Sequence, residues 1–147
     1  MSLAPPKIRL TWVEVLQVNE SKFGRPVNFR RTVTVETVTL QNLMNAYGSP
    51  FFVKIDVEGY ELNVLEGLRW SVPYLSFEVN LPEFRDEALK CLNLLKGLSP
   101  SGLFNYSIDE QTHLAAPYWM GVTDFQGVLA NCAGNSIEVF CKSISKL

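Results

Sequence analysis

The pattern of apolar and polar positions divides the chain into short elements with marked ends. In residues 11–18, Trp12, Val13, Val15, Leu16 and Val18 lie close together with enough β-branched character for a strand. After turn residues between 19 and 26, Val33, Val35 and Thr37 alternate with Thr34 and Glu36, the period of a half-buried strand. Thr39 then stands at an N-cap position. Leu40, Leu43, Met44 and Tyr47 repeat at helical spacing, and Gly48 and Pro50 end that helix. Phe51-Phe52-Val53-Lys54-Ile55-Asp56-Val57 is a nearly continuous apolar run with two charges, the kind that suits a central parallel strand covered on both faces.

Leu62, Val64, Leu65 and Leu68 mark a short helix that ends within residues 70–73, and residues 74–79 form the next strand. Pro82 fits the first turn of a further helix, whose Phe84, Ala88, Cys91, Leu92 and Leu95 make one apolar stripe up to Gly97. Helix, strand, helix, strand, helix in this order predicts an α/β fold with a mostly parallel sheet, right-handed crossovers and helices on both faces. The tail departs from that alternation. Residues 103–108 and 137–142 read as strands separated by a polar excursion with a short helix from Thr123, and an antiparallel closing strand pair at one sheet edge accommodates both. Two regions follow: residues 1–32, an N-terminal segment whose Met1-Ser2-Leu3-Ala4-Pro5-Pro6 start is set aside from the fold and which adds one strand, and residues 33–147, the α/β domain.

Composition narrows the partners. At 147 residues, 47% apolar and 19% charged, the chain is expected to form one globular domain with a true core. A net charge of −2 supplies no cationic field for nucleic acid or an anionic membrane, so neither is an expected partner. Lys22, Arg25, Arg30 and Arg31, interleaved with Phe23 and Phe29, read as a solvated cluster flanking a strand. Cys91, Cys132 and Cys141 are odd in number and lack a CxxC pair, which fits reduced packing residues. Without a long apolar run or a leader pattern, a cytoplasmic location is expected, and Ser145-Lys146-Leu147 is read as a chance match to a peroxisomal address.

In open α/β sheets, ligands bind outside the carboxyl ends of the strands. Here those ends read Lys54-Ile55-Asp56-Val57-Glu58-Gly59 and Phe77-Glu78-Val79-Asn80. Alternation puts Lys54, Asp56 and Glu58 on one side of the first strand, so Asp56, Glu58 and Glu78 are the candidate catalytic residues, with Asp56 foremost. Carboxylates crowded at one rim can take a proton from a substrate hydroxyl, or equally can hold a hard divalent cation. No metal is assigned. Glu58 and Glu61 at a helix start serve the helix dipole equally well. Lys54 is expected to pair with Asp56 or Glu78, and Gly59 to permit the strand-to-helix turn. His113 has no second His or nearby Cys at ligand spacing and is a lesser candidate base. Trp12, Trp70 and Trp119 are scattered, as packing residues are.

Val38-Thr39-Leu40-Gln41-Asn42-Leu43, then Phe52-Val53-Lys54-Ile55-Asp56-Val57-Glu58-Gly59-Tyr60-Glu61, then Val64-Leu65-Glu66-Gly67-Leu68 resembles the second half of the FkbM methyltransferase family. That family reads V-T-L-D-x-L, F-I-K-I-D-V-E-G-x-E and V-L-x-G, followed by an L-x-x-E-V strand. The likeness runs from Thr39 to Asn80 and more loosely to Ile137-Glu138-Val139-Phe140-Cys141-Lys142, with Gln41 standing where the family has Asp. The resemblance implies a Rossmann-like sheet of seven strands and S-adenosylmethionine-dependent O-methyl transfer to a hydroxyl of a sugar or secondary metabolite. Its partner would be a small-molecule or glycan hydroxyl acceptor, with Asp56 near donor and acceptor and Glu58 and Glu78 around it.

One departure limits that expectation. The family carries a V-G-A-N-x-G loop ahead of this half, where glycines let the backbone approach the donor, and this sequence has no G-x-G. The residues before Val33 are too few for two βα units, since one βαβ unit takes roughly 30 residues. The expectation is a partial Rossmann-like methyltransferase sheet without its donor-binding half. The alternative is a non-catalytic, truncated scaffold, with a homodimer formed through the exposed sheet edge at Val53. An α/β hydrolase is disfavoured, because neither a G-x-S-x-G elbow nor a P-loop occurs.

Overall fold

The structure, a computed structural model, describes residues 37–57, 59–109 and 111–143. The strand expected at 11–18 lies outside the described residues, as does the one expected at 33–37 apart from Thr37, which is not in a strand. The elements run α1 (Leu40–Tyr47), β1 (Phe52–Ile55), α2 (Glu61–Glu66), β2 (Tyr74–Asn80), α3 (Arg85–Leu98), β3 (Leu103–Ile108), α4 (Val122–Asn131) and β4 (Ser136–Lys142).

Local chemistry explains most of the boundaries. Thr39 Oγ1 accepts from the Asn42 amide at 3.2 Å and so starts α1, which ends where the Gly48 amide donates to Met44 O at 2.9 Å. Gln41 is buried and ties two elements together. Its side-chain oxygen accepts from the Arg69 amide at 3.0 Å, and its own amide donates to Gly67 O at 3.2 Å. In α3, Ala88, Cys91, Leu92 and Leu95 face inward at helical spacing, with Asp86 and Glu87 in the first turn and Lys96 in the last, the signs that favour the helix dipole. The helix expected from Thr123 begins one residue earlier, with Val122, Phe125 and Leu129 buried.

The sheet order is β1-β2-β4-β3, with β1 and β2 parallel and β4 antiparallel to both β2 and β3. This corrects the expectation of a mostly parallel sheet: the fold is mixed α/β, and only one of its strand pairings is parallel. The cause is topological. The helical crossovers do leave β1, β2 and β3 pointing one way, but β4 returns between β2 and β3 and converts what would be a parallel contact into two antiparallel ones. The closing pair of strands is antiparallel as expected, although β4 is interior and only β3 is an edge. The apolar run of β1 suits a central strand covered on both faces, whereas a truncated sheet leaves it as an exposed edge at Val53. Among the described residues it is the opposite edge strand, with Phe52 and Lys54 exposed.

Alternation separates the two sheet faces. Ile55, Leu75, Phe77, Val79, Phe104, Ile137 and Val139 lie on one, in a single apolar core with Leu65 of α2, Leu92 of α3 and Phe125 and Leu129 of α4. Phe104 and Phe125 stack with centroids 5.6 Å apart. Each fully buried Leu or Phe contributes about 1.5–3 kcal/mol, so this face holds the domain together. The other face carries the polar residues, and it is the one that builds the site. Among the described residues, no helix is long and apolar enough to cross a membrane.

Candidate functional site

Register arranges the polar face into rows across the strands. Lys54 lies opposite Ser76, which lies opposite Phe140, and Phe140 lies opposite Asn105. In the next row toward the carboxyl ends of β1 and β2, Glu78 faces Glu138, which faces Ser107. Asp56 follows β1 directly. Lys54, Asp56, Ser76, Glu78, Ser107, Ser136, Glu138 and Phe140 line one groove of about 470 Å³. The structure therefore brings Asp56 and Glu78 to one cavity, while Glu58 lies outside the described residues.

Lys54 supplies the counter-charge. Its Nζ is 3.6 Å from Asp56 Oδ2 and 3.7 Å from Glu138 Oε2. The pairing with Asp56 was expected; the second partner is Glu138. Both contacts exceed the roughly 2.7–2.9 Å of a short charge-assisted hydrogen bond, and Lys54 and Asp56 are about half exposed (54% and 49%), so the pairs leave carboxylate oxygens able to accept further donors. Glu138 escaped the sequence reading because only the insertion of β4 beside β2 sets it against Glu78. The available signal was its position as the one charged residue between Ile137 and Val139.

The turn that delivers Asp56 is built by the residues after it. Glu61, the first residue of α2 and only 7% exposed, accepts with Oε1 from the Gly59 amide at 3.2 Å and the Val57 amide at 3.4 Å. Gly59 has φ 92°, and a Cβ there would lie 2.8 Å from Phe84 Cε1, so both backbone and packing demand glycine. Gly67 is close-packed too, as a Cβ would lie 3.3 Å from Thr39 Cβ at the start of α1. Glu61 and Glu87 also act on Cys91, whose thiol is pushed up to about 12, chiefly by burial and then by these carboxylates.

At the far edge, Asn105 Nδ2 donates to Ala116 O at 3.0 Å and Tyr118 O at 3.2 Å, fastening residues 111–119 along β3. His113 sits exposed on that segment. A second cavity, about 330 Å³ and apolar, lies between the start of α1 and α2, lined by Val38, Leu40, Val57, Tyr60 and Val64 among others.

Comparison with known families settles the chain's kinship: residues 13–112 match the methyltransferase FkbM domain. The chain belongs to the FkbM methyltransferase family. No curated protein and no solved structure matches it. In this FkbM domain the residues that carry the resemblance divide in two. Thr39, Gln41, Gly59, Glu61 and Gly67 have local structural work: a cap, a tie between helices, a turn, an acceptor for two amides and a close contact. Lys54, Asp56 and Glu78 remain facing the groove.

FkbM methyltransferases generally use S-adenosylmethionine. At Gly59, the glycine turn nearest the groove, the Phe84 ring packs against the side a Cβ would take. No group of three or more metal-ligating side chains occurs among the described residues.

Proposed function

We infer that the chain is part of an S-adenosylmethionine-dependent O-methyltransferase acting on a small-molecule or glycan hydroxyl, and that the described residues form its acceptor side. The observation that carries this reading is the groove on the polar face of the sheet, lined by Asp56, Glu78 and Glu138, with Lys54 paired to Asp56 and Glu138. Asp56 accepts a hydrogen bond from the acceptor hydroxyl and is placed to take its proton, while Lys54, with Nζ 3.6 Å from Oδ2, holds the carboxylate in place. Glu78 and Glu138 orient the acceptor through further hydroxyl contacts. Positioning of this kind is the main help a hydroxyl nucleophile needs. The location that fits this reading is cytoplasmic.

The test has two arms on the 147-residue chain. Calorimetric titration with S-adenosylmethionine measures donor binding, and transfer of labelled methyl to a panel of sugars and phenols measures turnover. Micromolar donor binding with transfer supports the reading; a folded chain showing neither rejects autonomous methyl transfer.

A second reading is favoured by one observation. Phe51 is 73% exposed beside the half-exposed Phe52, and among the described residues β1 pairs only with β2. Such an edge is suited to pairing with another copy, which fits a non-catalytic, self-associating module. Sedimentation velocity over a concentration series separates the two, because a strictly monomeric chain rejects the module.

A further inference from the structure

The groove holds a buried group that the acid-base reading leaves unused. Ser76 is 1% exposed, lines the groove, and its Oγ has no hydrogen-bond partner. An unsatisfied buried hydroxyl is costly, and beside a polar cavity an absent ligand is the natural account. Register sets Lys54 of β1 beside Ser76. Because β2 lies between β1 and β4, the Lys54 side chain reaches across β2 to bring Nζ within 3.7 Å of Glu138. That contact and the one to Asp56 both exceed hydrogen-bond length, and the side chain is half exposed, so a modest swing of Lys54 opens the Ser76 hydroxyl to the groove.

Charge decides the kind of occupant. Among the described residues the groove is lined by three carboxylates, Asp56, Glu78 and Glu138, against the one ammonium of Lys54, a formal excess of two negative charges. That excess repels an anion, and a neutral ligand that displaced Lys54 would strip the carboxylates of their counter-charge. A bare divalent ion fits no better, because these side chains do not close into a group able to hold a metal. An ammonium on a carbon frame suits every group. It replaces the Lys54 ammonium charge for charge. Ser76 and Glu78 are neighbours along one face of β2, with Glu138 opposite Glu78, so the three N–H donors of an ammonium meet three oxygen acceptors. The carbon part then lies along Phe140 and Phe52, rings that cover hydrocarbon and also attract a cation. A volume of about 470 Å³ falls within the ordinary range for small-ligand sites. We propose that the polar sheet face of this domain is a binding site for an organic amine cation, with its ammonium among Glu78, Glu138 and Ser76 and its hydrocarbon part against Phe140 and Phe52. The site follows from the charge of the groove and its buried hydroxyl, and it stands apart from methyl transfer.

The experiment is a titration of the isotopically labelled 147-residue chain, without any methyl donor, followed by amide chemical shifts at neutral pH and low salt. The probes are diaminobutane, cyclohexylamine and benzylamine, each beside its neutral alcohol counterpart, with magnesium chloride as the inorganic cation. Saturable millimolar shifts at Ser76, Glu78, Glu138 and Phe140 are expected with at least one amine, about tenfold weaker or absent with its alcohol, and weakened by added salt. Glu138→Gln, which keeps the shape and removes one charge, should weaken amine binding by about tenfold. Ser76→Ala should weaken it by about threefold to tenfold while leaving the melting temperature unchanged or higher. The proposal is overturned if no amine gives saturable shifts there, if an alcohol binds as tightly as its amine, if magnesium chloride reproduces the shifts at Ser76 and Phe140, or if either folded variant binds as tightly as the parent. Because no donor is present, these outcomes are separate from donor binding and turnover: amine binding without methyl transfer leaves the site standing, and methyl transfer to a neutral hydroxyl without amine binding removes it.

Discussion

Replacing Gly59 by alanine tests the turn that holds Asp56 in place. Two penalties combine at this residue. A left-handed backbone with φ 92° costs a residue bearing Cβ about 1–2 kcal/mol. The new methyl would stand 2.8 Å from Phe84 Cε1 and 3.0 Å from Cζ, and crowding of that kind in a packed core costs about 1–3 kcal/mol. The sum, about 2–5 kcal/mol, is a large part of the roughly 5–15 kcal/mol that holds a domain folded. At this chain length it corresponds to a fall in Tm of about 6–15 °C. Urea unfolding followed by tryptophan fluorescence measures it, with Phe84→Leu as the second arm of a double-mutant cycle. Shortening Phe84 should recover the crowding part, giving a coupling of about 1–3 kcal/mol, and leave the backbone part in place. A Gly59→Ala variant within about 1 kcal/mol of the parent, or a cycle additive to within about 0.5 kcal/mol, would refute the reasoning.

Glu61→Ala removes the acceptor of two amides and should cost about 1.5–3 kcal/mol by urea unfolding, whereas Glu61→Gln, which keeps one carbonyl oxygen, should cost less. Asp56→Asn should leave stability within about 1 kcal/mol, because its ion pair is half exposed, and lower turnover by about 100-fold or more; near-parental turnover rejects Asp56 as the base. Burial pushes the Cys91 and Cys141 thiols from 9.0 up to about 12, so the neutral form is favoured in the folded state. Their contribution to stability is complete below pH 9 and is lost as pH rises toward 12, and a melting-temperature profile that stays flat across that window contradicts it. Alkylation at pH 8 should accordingly label Cys132 first and reach Cys91 and Cys141 only on unfolding, as mass spectrometry of the partly labelled chain can show.

Features set by neighbours in sequence were legible before the structure. The cap at Thr39, the helix end at Gly48, the turn at Gly59 and the stripe of α3 each depend on residues within a few positions of one another, so spacing alone reveals them. Sheet order was not legible, because the place of β4 is decided by pairings across the whole width of the sheet. Asn80 pairs with Ser136 and Leu75 with Cys141, separations over which no local pattern has force. The same long-range step hid Glu138 and Ser76 as groove residues. Ser76 reads in sequence as a small residue in an apolar strand, and only the register beside Lys54 and Phe140 gives it a polar setting.

The division between the two sheet faces explains why the acidic rim can exist at all. Glu78 and Glu138 stand opposite each other on adjacent strands, an arrangement that by itself opposes pairing. β2 and β4 are nonetheless held by Phe77, Val79, Ile137 and Val139 on the opposite face, each fully or almost fully buried. Burial of those side chains contributes several kcal/mol, against the roughly 0.2–1 kcal/mol of a typical cross-strand pair term, so the apolar face decides the register and the polar face must accept it. Lys54 then moderates the repulsion from the neighbouring strand without forming a closed, short-range pair. Carboxylates fixed in this way by packing behind them are already positioned before any ligand arrives, which is what the proposed acceptor role requires.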